Sequence, residues 1–223
     1  MNKGIFITVE GIDGSGKSTQ IEVLAEKLAE RGYNVKKLKF PQYDKPSSAL
    51  VKMYLDGEFG NSPDDVNSYA ASAFYAVDRF SWYKKYYNSD SADMDFLLCD
   101  RYVSSNIIHQ GSKFEGSRAI EYFKWLYDFE YTKLGLPKPD AVFFLDVPPF
   151  LTVGQLNKRY NGDEMKKDIH EKDEEYLLKC YNTGSLACEQ GFMERIECTD
   201  NNNLKSVEDI NEIILKKVLK FCE

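Results

Sequence analysis

The most constraining feature of this sequence is a glycine-rich segment between an apolar run and a helical pattern. The segment Gly11–Ser18 (GIDGSGKS) matches G-x-x-x-x-G-K-[ST] at every fixed position. Glycines let such a backbone curl until several N–H groups face one phosphate, and the N-terminus of the following helix adds positive potential there. The motif therefore predicts that the chain binds a nucleoside triphosphate.

The polar residues of this segment have separate predicted roles. Lys17 is expected to reach the outer phosphates, and the hydroxyl of Ser18 to bind Mg²⁺. The residues expected around the ATP phosphates are Gly11, Gly14, Ser15, Gly16, Lys17, Ser18 and Thr19. Asp13 is unusual because a carboxylate beside bound phosphates is repulsive. A magnesium ion or a hydroxyl group of a second substrate would explain it, and a solvated loop residue is an equal alternative.

Apolar strand-like segments alternate with helical patterns, which predicts a parallel sheet covered by helices on both faces. The expected strands are Gly4–Glu10, Val35–Phe40, Phe96–Cys99, Ala141–Asp146 and Phe192–Cys198. The expected helices are Lys17–Arg31, Pro63–Tyr87, Ser117–Lys133, Pro149–Tyr160, Ile169–Gln190 and Val207–Phe221. The fold class is thus α/β, with a doubly wound, five-stranded parallel sheet. We expect residues 1–223 to form a single domain.

Composition excludes several classes of protein. Of the 223 residues, 43% are hydrophobic and 29% are charged, as in ordinary globular proteins. The apolar runs have the length of strands and the N-terminus carries no export pattern, so we expect no membrane contact and a cytoplasmic location. The formal net charge of −7 opposes binding of a nucleic acid polymer. The five cysteines form no C-x-x-C pair and predict reduced thiols rather than a zinc site.

Three further segments are candidates for chemistry. Asp100 and Arg101 follow the third strand, at the edge where ligands of doubly wound sheets bind. The carboxylate of Asp100 could hold Mg²⁺, and the guanidinium of Arg101 could bind a phosphate. A structural ion pair between the two is equally possible. Tyr75 and Arg79 share a helix face and could contact a base, but simple packing is the more common role for such a pair. The polar connection Asn161–Lys172 is either a lid over the site or an ordinary loop.

In order and spacing, these segments together resemble the thymidylate kinase family, which consists of P-loop nucleoside monophosphate kinases. The matching segments are Val9–Thr19 (VEGIDGSGKST), Phe40-Pro41, Tyr75–Arg79 (YAVDR), Asp100–Asn106 (DRYVSSN), His109–Gly111 (HQG) and Pro139–Val147 (PDAVFFLDV). The resemblance implies a P-loop kinase fold and phosphorylation of dTMP to dTDP with ATP and Mg²⁺. It also implies a homodimer. The helices near Asp65–Tyr87 and Ser117–Lys133 are sufficiently apolar for this, although burial in the core explains their apolar residues equally well.

Family roles transfer to matching positions. Tyr75 would stack on thymine, Arg79 would read a base carbonyl, and Arg101 would hold the monophosphate. The implied substrate-binding residues are Asp13, Phe40, Tyr43, Tyr75, Arg79, Arg101, Asn106 and Gln110. The implied catalytic residues are Lys17, Asp13, Arg101 and Arg159, and the expected metal ligands are Ser18 and Asp100.

The sequence also departs from the family. Many relatives have an arginine where Gln42 stands, and some have one at the position of Gly14. A cation is therefore expected from the lid, at about residues 158–172, where the candidates are Arg159, Lys166 and Lys167. His109 occupies a position that is commonly aromatic in the family, so its ring is expected to fill space.

Three other functions are compatible with a P-loop. A deoxynucleoside kinase would need a carboxylate near the 5′ oxygen, for which Glu10 and Asp13 are candidates. A monophosphate kinase acting on another base is the nearer alternative, since sequence alone does not reveal selectivity for thymine over uracil. A guanine-binding switch is disfavoured, because Asn157–Tyr160 (NKRY) fails the last position of N-K-x-D.

Overall fold

Five strands form one parallel sheet in the order β2-β3-β1-β4-β5. The computed structural model describes residues 4–90, 93–152 and 174–222. Its sheet strands are β1 (Ile5–Glu10), β2 (Val35–Lys39), β3 (Phe96–Asp100), β4 (Ala141–Asp146) and β5 (Glu194–Glu197). The predicted doubly wound sheet is confirmed, and every strand begins and ends within two residues of the expected positions.

Helices cover both faces of this sheet. They are α1 (Lys17–Glu30), α2 (Ala49–Leu55), α3 (Ser68–Asp90), α4 (Val103–Gly111), α5 (Gly116–Tyr127), α6 (Glu174–Glu189) and α7 (Val207–Leu219). Short 3₁₀ turns occur at Pro46–Ser48, Pro63–Asp65 and Lys220–Cys222, and one π-helical turn at Asp128–Lys133. A small hairpin joins β6 (Thr199–Asp200) to β7 (Asn203–Leu204). Residues 149–152 are helical, and the remainder of the helix expected at Pro149–Tyr160 lies outside the described residues.

Alternate residues of the strands supply two hydrophobic cores. On β1, Phe6 packs with the cluster that contains Trp82 of α3 and Ile107 of α4, whereas Ile7 belongs to the cluster that contains Leu24 of α1 and Ile214 of α7. Such alternation across a parallel sheet buries both of its faces. The α1 and α7 helices therefore pack on one face of the sheet, and α3 to α6 pack on the other.

Two predicted helices differ from those observed. The segment expected as one helix from Pro63 begins with a separate 3₁₀ turn, in which Ser62 and Asp65 form a capping box, and α3 starts only at Ser68. The helix expected to run to Lys133 changes to a π-helical turn after Tyr127. Hydrophobic spacing alone distinguishes these hydrogen-bonding patterns poorly, because an apolar face continues through both.

Two helices were not expected from the sequence at all. The α4 helix carries the VSSN of DRYVSSN and the HQG segment, and all nine of its residues are buried. It has only nine residues, and its polar side chains are buried together with its apolar ones, so no solvated polar face marks it as a helix. The α2 helix has only seven residues, which is too short for its periodicity to be clear.

The described part of the chain contains no helix that is long and apolar enough to span a bilayer. All five cysteines are free thiols, and Cys99, Cys180 and Cys198 are buried. This agrees with the expectation of reduced, mostly buried thiols.

Candidate active site

A cleft of about 580 Å³ opens at the carboxyl ends of β1, β2 and β3. This is the edge of a doubly wound sheet at which ligands bind. Its lining residues come from five regions that are distant in sequence. These are Asp13–Gln20; Lys39–Pro41 with Tyr43 and Leu55; Tyr75 and Arg79; Asp100, Arg101, Ser105, Asn106 and His109; and Leu204, Lys205, Val207 and Ile210. The phosphate-binding motif lies beside the end of β2 and the residues that follow β3.

The loop between β1 and α1 has the curled backbone that its sequence predicts. Gly14 and Gly16 have φ angles of 79° and 89°, and a Cβ atom on Gly11 would lie 2.5 Å from the Ser15 hydroxyl oxygen. The Lys17 ammonium is buried and donates to the carbonyl oxygens of Gly11 (3.0 Å) and Ile12 (2.8 Å). Burial, followed by the nearby Arg101 guanidinium, lowers the pKa of Lys17 to about 8. The loop is thus preformed around a cation that is poorly solvated.

Ser18 and Asp100 meet at the end of β3. The Ser18 hydroxyl donates to Asp100 Oδ2 at 2.5 Å, and the Lys39 ammonium lies 3.1 Å from both oxygens. Burial acts to raise the pKa of Asp100, but Lys17, Arg101, the Ser18 hydrogen bond and Lys39 outweigh it, so that the pKa is lowered. A hydroxyl and an ionised carboxylate are oxygen ligands that suit Mg²⁺, with phosphates and water completing the set. The pair therefore fits the predicted metal ligands.

Arg101 lies next to the loop, where side chains on either terminal nitrogen fix its guanidinium. Its guanidinium donates to Asp13 Oδ1 through Nη2 and lies 2.9 Å from His109 Nε2 through Nη1. Its backbone φ of 68° is in the left-handed region, which costs a non-glycine residue about 1–2 kcal/mol. Because the arginine is always a donor, Nε2 of His109 must be the acceptor, which places the ring proton on Nδ1, 3.7 Å from Cys180 Sγ. Asp13 is therefore not an isolated carboxylate, since it pairs with the arginine that was predicted to bind phosphate.

Arg79 lies deeper, where it forms a buried ion pair. Its Nε and Nη2 atoms each donate to Glu130 at 2.6 Å, and Nη1 donates to the Tyr102 carbonyl oxygen at 3.2 Å. The side chains of Arg79 and Glu130 are 2% and 0% exposed. Such a bidentate pair in a dry environment fixes both the position and the plane of the guanidinium.

Most of the residues predicted to bind substrate line this one cleft. Those that do are Asp13, Phe40, Tyr43, Tyr75, Arg79, Arg101 and Asn106. Gln110 does not line the cleft. It is fully buried, and its side-chain amide has no hydrogen-bond partner among the described residues. Gly11 lies beneath the loop surface and contributes its carbonyl oxygen to Lys17. Arg159, Lys166, Lys167 and the expected lid at 158–172 lie outside the described residues.

Several residues of the site were not predicted. Lys39 stands opposite Asp100 in the β2–β3 register, so its position at the end of a strand was an available signal. Leu204 and Lys205 reach the cleft from the β6–β7 hairpin, which has no motif. Glu10, in contrast, is a sequence-based candidate for the carboxylate of a nucleoside kinase; it is buried beside the cleft and accepts hydrogen bonds from Tyr102 N (2.7 Å) and Ser105 Oγ (2.5 Å). Its carboxylate thus orders the turn after β3 and does not line the cleft.

Comparisons with known proteins agree with this geometry. A sequence model of the thymidylate kinase family matches residues 9–200. The chain is 31% identical over 187 residues to the thymidylate kinase of Mycobacterium tuberculosis (strain ATCC 25618 / H37Rv), covering 83% of this chain and 85% of that protein. It is 28% identical over 219 residues to the thymidylate kinase of Plasmodium falciparum (isolate 3D7), covering 98% and 91%. The solved thymidylate kinase of Candida albicans shares the fold, with a TM-score of 0.69, 20% identity and coverage of 98% of this chain and 92% of that one.

Proposed function

The chain belongs to the thymidylate kinase family, and we propose that it transfers the γ-phosphoryl group of ATP to the phosphate of dTMP, forming dTDP and ADP. One observation carries this proposal: a single cleft contains the phosphate-binding loop, Arg101 beside that loop and Arg79 deeper in the cleft. The first arginine matches an acceptor phosphate and the second a base carbonyl.

The chemistry requires positioning and charge neutralisation rather than a general base. An oxygen of the dTMP phosphate is already anionic at neutral pH and attacks the γ-phosphorus in line. Arg101, clamped by Asp13 and His109, holds that phosphate in place. Lys17 and the loop N–H groups stabilise the charge that develops on the transferring group. Ser18 and Asp100 would hold Mg²⁺, which when bound would supply further charge neutralisation at the phosphates.

The acceptor base is assigned to the part of the cleft that Phe40, Tyr43, Tyr75, Arg79 and Asn106 line. Tyr75 offers a ring for stacking, and Arg79 is a fixed hydrogen-bond donor for a carbonyl oxygen. These are the groups that recognise a flat base with oxygen at its edge. The donor base is assigned to the opposite end of the cleft, near Leu204 and Lys205.

The geometry favours a monophosphate acceptor over a nucleoside. A nucleoside kinase needs a carboxylate that accepts the proton of the 5′ hydroxyl group. Both oxygens of Glu10 already accept hydrogen bonds, from Tyr102 N and from the Ser105 hydroxyl, and Asp13 is paired with Arg101. Both carboxylates that the sequence offered as proton acceptors therefore already have other hydrogen-bonding or ion-pair partners.

We further propose that the enzyme is a cytoplasmic homodimer that does not bind nucleic acid polymers. The negative net charge supports the last point. The dimer is supported by an apolar surface, here called the α3–α5 face, formed by Tyr69, Ala73, Val77, Phe80 and Trp125. Tyr69 and Val77 are 46% and 51% exposed, and the Tyr69 ring centroid lies 4.5 Å from that of Trp125. A contribution of Arg159, Lys166 or Lys167 from a lid stays a prediction.

A coupled assay of ADP release with MgATP tests the function. The acceptor panel is dTMP, dUMP, dCMP, dGMP, AMP and free thymidine. We expect the highest kcat/KM with dTMP and no turnover of thymidine. Turnover of thymidine without turnover of dTMP would contradict the proposal and remove the phosphate-binding role of Arg101.

A further inference from the structure

We propose that Glu130 sets the hydrogen-bonding polarity of the acceptor-base pocket, so that the pocket accepts a pyrimidine with oxygen at position 4 and rejects one with an amino group there. Glu130 is thereby a specificity-determining positioning residue. The inference rests on the proposed function, because it places the base of dTMP against Arg79 and Asn106.

Glu130 acts from behind the pocket wall. It lies in the π-helical turn Asp128–Lys133, is 0% exposed and does not line the cleft. Its two carboxylate oxygens accept from two residues that do line the cleft, Arg79 and Asn106. One buried carboxylate therefore contacts both of the polar side chains assigned to the base edge.

For Arg79, the carboxylate determines which donors remain for a ligand. Three of its five N–H groups are used by Glu130 and by the Tyr102 carbonyl oxygen. The rest are donors as well, because a guanidinium has no acceptor atom. Because Glu130 holds the guanidinium bidentately, Arg79 cannot change its orientation when a mismatched base binds. Its remaining N–H groups can therefore pair only with an acceptor such as a carbonyl oxygen.

For Asn106, the carboxylate determines which end of the amide faces its neighbours. The amide nitrogen lies 3.3 Å from the Ser72 carbonyl oxygen and 3.5 Å from Glu130 Oε1. Both neighbours are acceptors, so the NH₂ group must point to them, and the amide oxygen is the atom left for a ligand. Asn106 is thereby fixed as an acceptor beside the donor Arg79.

This donor-acceptor order is complementary to one kind of pyrimidine edge. Thymine and uracil present an oxygen acceptor at position 4 next to an N3–H donor. Cytosine presents an amino donor at position 4 next to an N3 acceptor, which is the reverse order. With cytosine, donors would face donors and an acceptor would face an acceptor in a buried pocket, and sites of this kind discriminate strongly. Glu130 thus sets selection against dCMP, independently of any preference between dTMP and dUMP.

The test compares Glu130→Gln with Asp128→Asn, a control in the same turn whose carboxylate is 51% exposed and pairs with Lys133. A glutamine can offer an NH₂ group to Asn106, which leaves the Ser72 carbonyl oxygen alone to orient that amide. We expect the ratio of kcat/KM for dTMP to that for dCMP to fall at least tenfold in E130Q. The KM for dTMP should rise at least tenfold and the KM for ATP should change less than twofold. D128N should match the wild type in all three quantities.

A second variant covers the case in which E130Q does not fold because Arg79 loses its counter-charge. Glu130→Asp keeps the charge but shortens the side chain, so that it cannot reach Arg79 and Asn106 together. We expect E130D to fold, as measured by thermal unfolding, and to lose at least threefold in the dTMP to dCMP ratio. An unchanged ratio in folded E130D or E130Q overturns this inference alone. Absence of dTMP turnover in the wild type overturns the proposed function together with it.

Discussion

Lys17 tests the proposed chemistry at the level of one side chain. Its ammonium is buried and held by two loop carbonyl oxygens, so that it is oriented before a nucleotide binds. We expect Lys17→Ala to lower kcat about 10²–10³-fold, as the loss of one preorganised charge in an active site does. The melting temperature should hardly change, since the substitution also removes a poorly solvated cation. Steady-state kinetics and thermal unfolding measure the two effects.

A matched control for this variant is Lys37→Ala. Lys37 lies on β2 and is 46% exposed, where it pairs with Glu22 away from the cleft. It should retain wild-type kinetics. Full activity of Lys17→Ala would contradict the role given to the phosphate-binding loop.

His109 provides a second test, because it supports Arg101 from the side opposite Asp13. A phenylalanine fills the same space but cannot accept the hydrogen bond from Nη1, which lies 2.9 Å from Nε2 in the wild type. We expect His109→Phe to raise the KM for dTMP roughly three- to tenfold, about the value of one ordinary hydrogen bond. His109→Gln retains an acceptor and should show a smaller rise. Equal KM values for the two variants would indicate that the ring only fills space.

The sequence identified those residues of the site that lie in contiguous motifs. Lys17, Ser18, Asp100 and Arg101 could be predicted because each follows a strand end, where topology brings side chains together. Glu130 could not be predicted, because it lies in a π-helical turn without a motif and is connected to Arg79 only by tertiary packing. The same reason explains why Asp13 remained ambiguous until its partner Arg101 was located.

At the level of elements, the helices on one face of the sheet depend on close approach at a glycine. Gly184 lies within α6, and a Cβ atom there would be 2.4 and 2.5 Å from two ring atoms of Phe144 on β4. Helix propensity predicts that Gly184→Ala stabilises by up to about 1 kcal/mol, whereas overpacking costs about 1–3 kcal/mol. We expect the packing effect to dominate and the free energy of unfolding to fall by about 1–2 kcal/mol. Urea denaturation decides the sign, and an increase would contradict the packing seen here.

Lys113 connects the end of α4 to the turn before α3. Its ammonium donates to the carbonyl oxygens of Pro63 and Val66, the latter at 2.7 Å. Burial lowers the pKa of Lys113 to about 8, despite the opposing effect of Asp64. Between about pH 8 and the ordinary value of 10.5, the unfolded chain therefore binds more protons at this site than the folded protein does. The buried Lys113 ammonium therefore lowers the free energy of unfolding below pH 8, and this loss disappears as the pH rises and the group is deprotonated in both states.

The corresponding experiment measures the free energy of unfolding of the wild type and of Lys113→Met from pH 8 to pH 10.5. The difference, wild type minus variant, should rise by on the order of 2 kcal/mol across this interval. Subtraction removes the contributions of the other lysines and tyrosines. A constant or falling difference would contradict a lowered pKa.

At the level of the whole molecule, the alternation of strand-like and helical segments along the sequence was sufficient to predict the sheet but not the shape of the cleft. Continuous apolar strands such as Ala141–Asp146 require burial on both faces, which leaves few alternatives to a doubly wound sheet. The cleft, in contrast, also needs α4, a nine-residue helix whose polar and apolar side chains are all buried, so that no solvated face reveals it. It further needs the β6–β7 hairpin, whose four strand residues carry no pattern. Both are positioned by packing between segments distant in sequence.

The α3–α5 face connects the proposed dimer to the site. Along α3, the spacing of Tyr69, Ala73, Val77 and Phe80 places them on one side, whereas Tyr75 and Arg79 lie on the opposite side and line the cleft. A partner that packs on the first side would therefore hold in place the helix that supplies residues for the acceptor base.

We expect Val77→Asp to place a charge in that interface and to weaken dimerisation at least 100-fold, because an unpaired carboxylate cannot be buried cheaply. Sedimentation velocity at micromolar concentration should show a monomer for this variant and a dimer for the wild type. The KM for dTMP should rise severalfold, since α3 loses its support. Leu178→Asp is the control, because Leu178 is 48% exposed on α6, away from this face. A wild-type monomer, or a V77D dimer as stable as the wild type, would show that this face is not the interface.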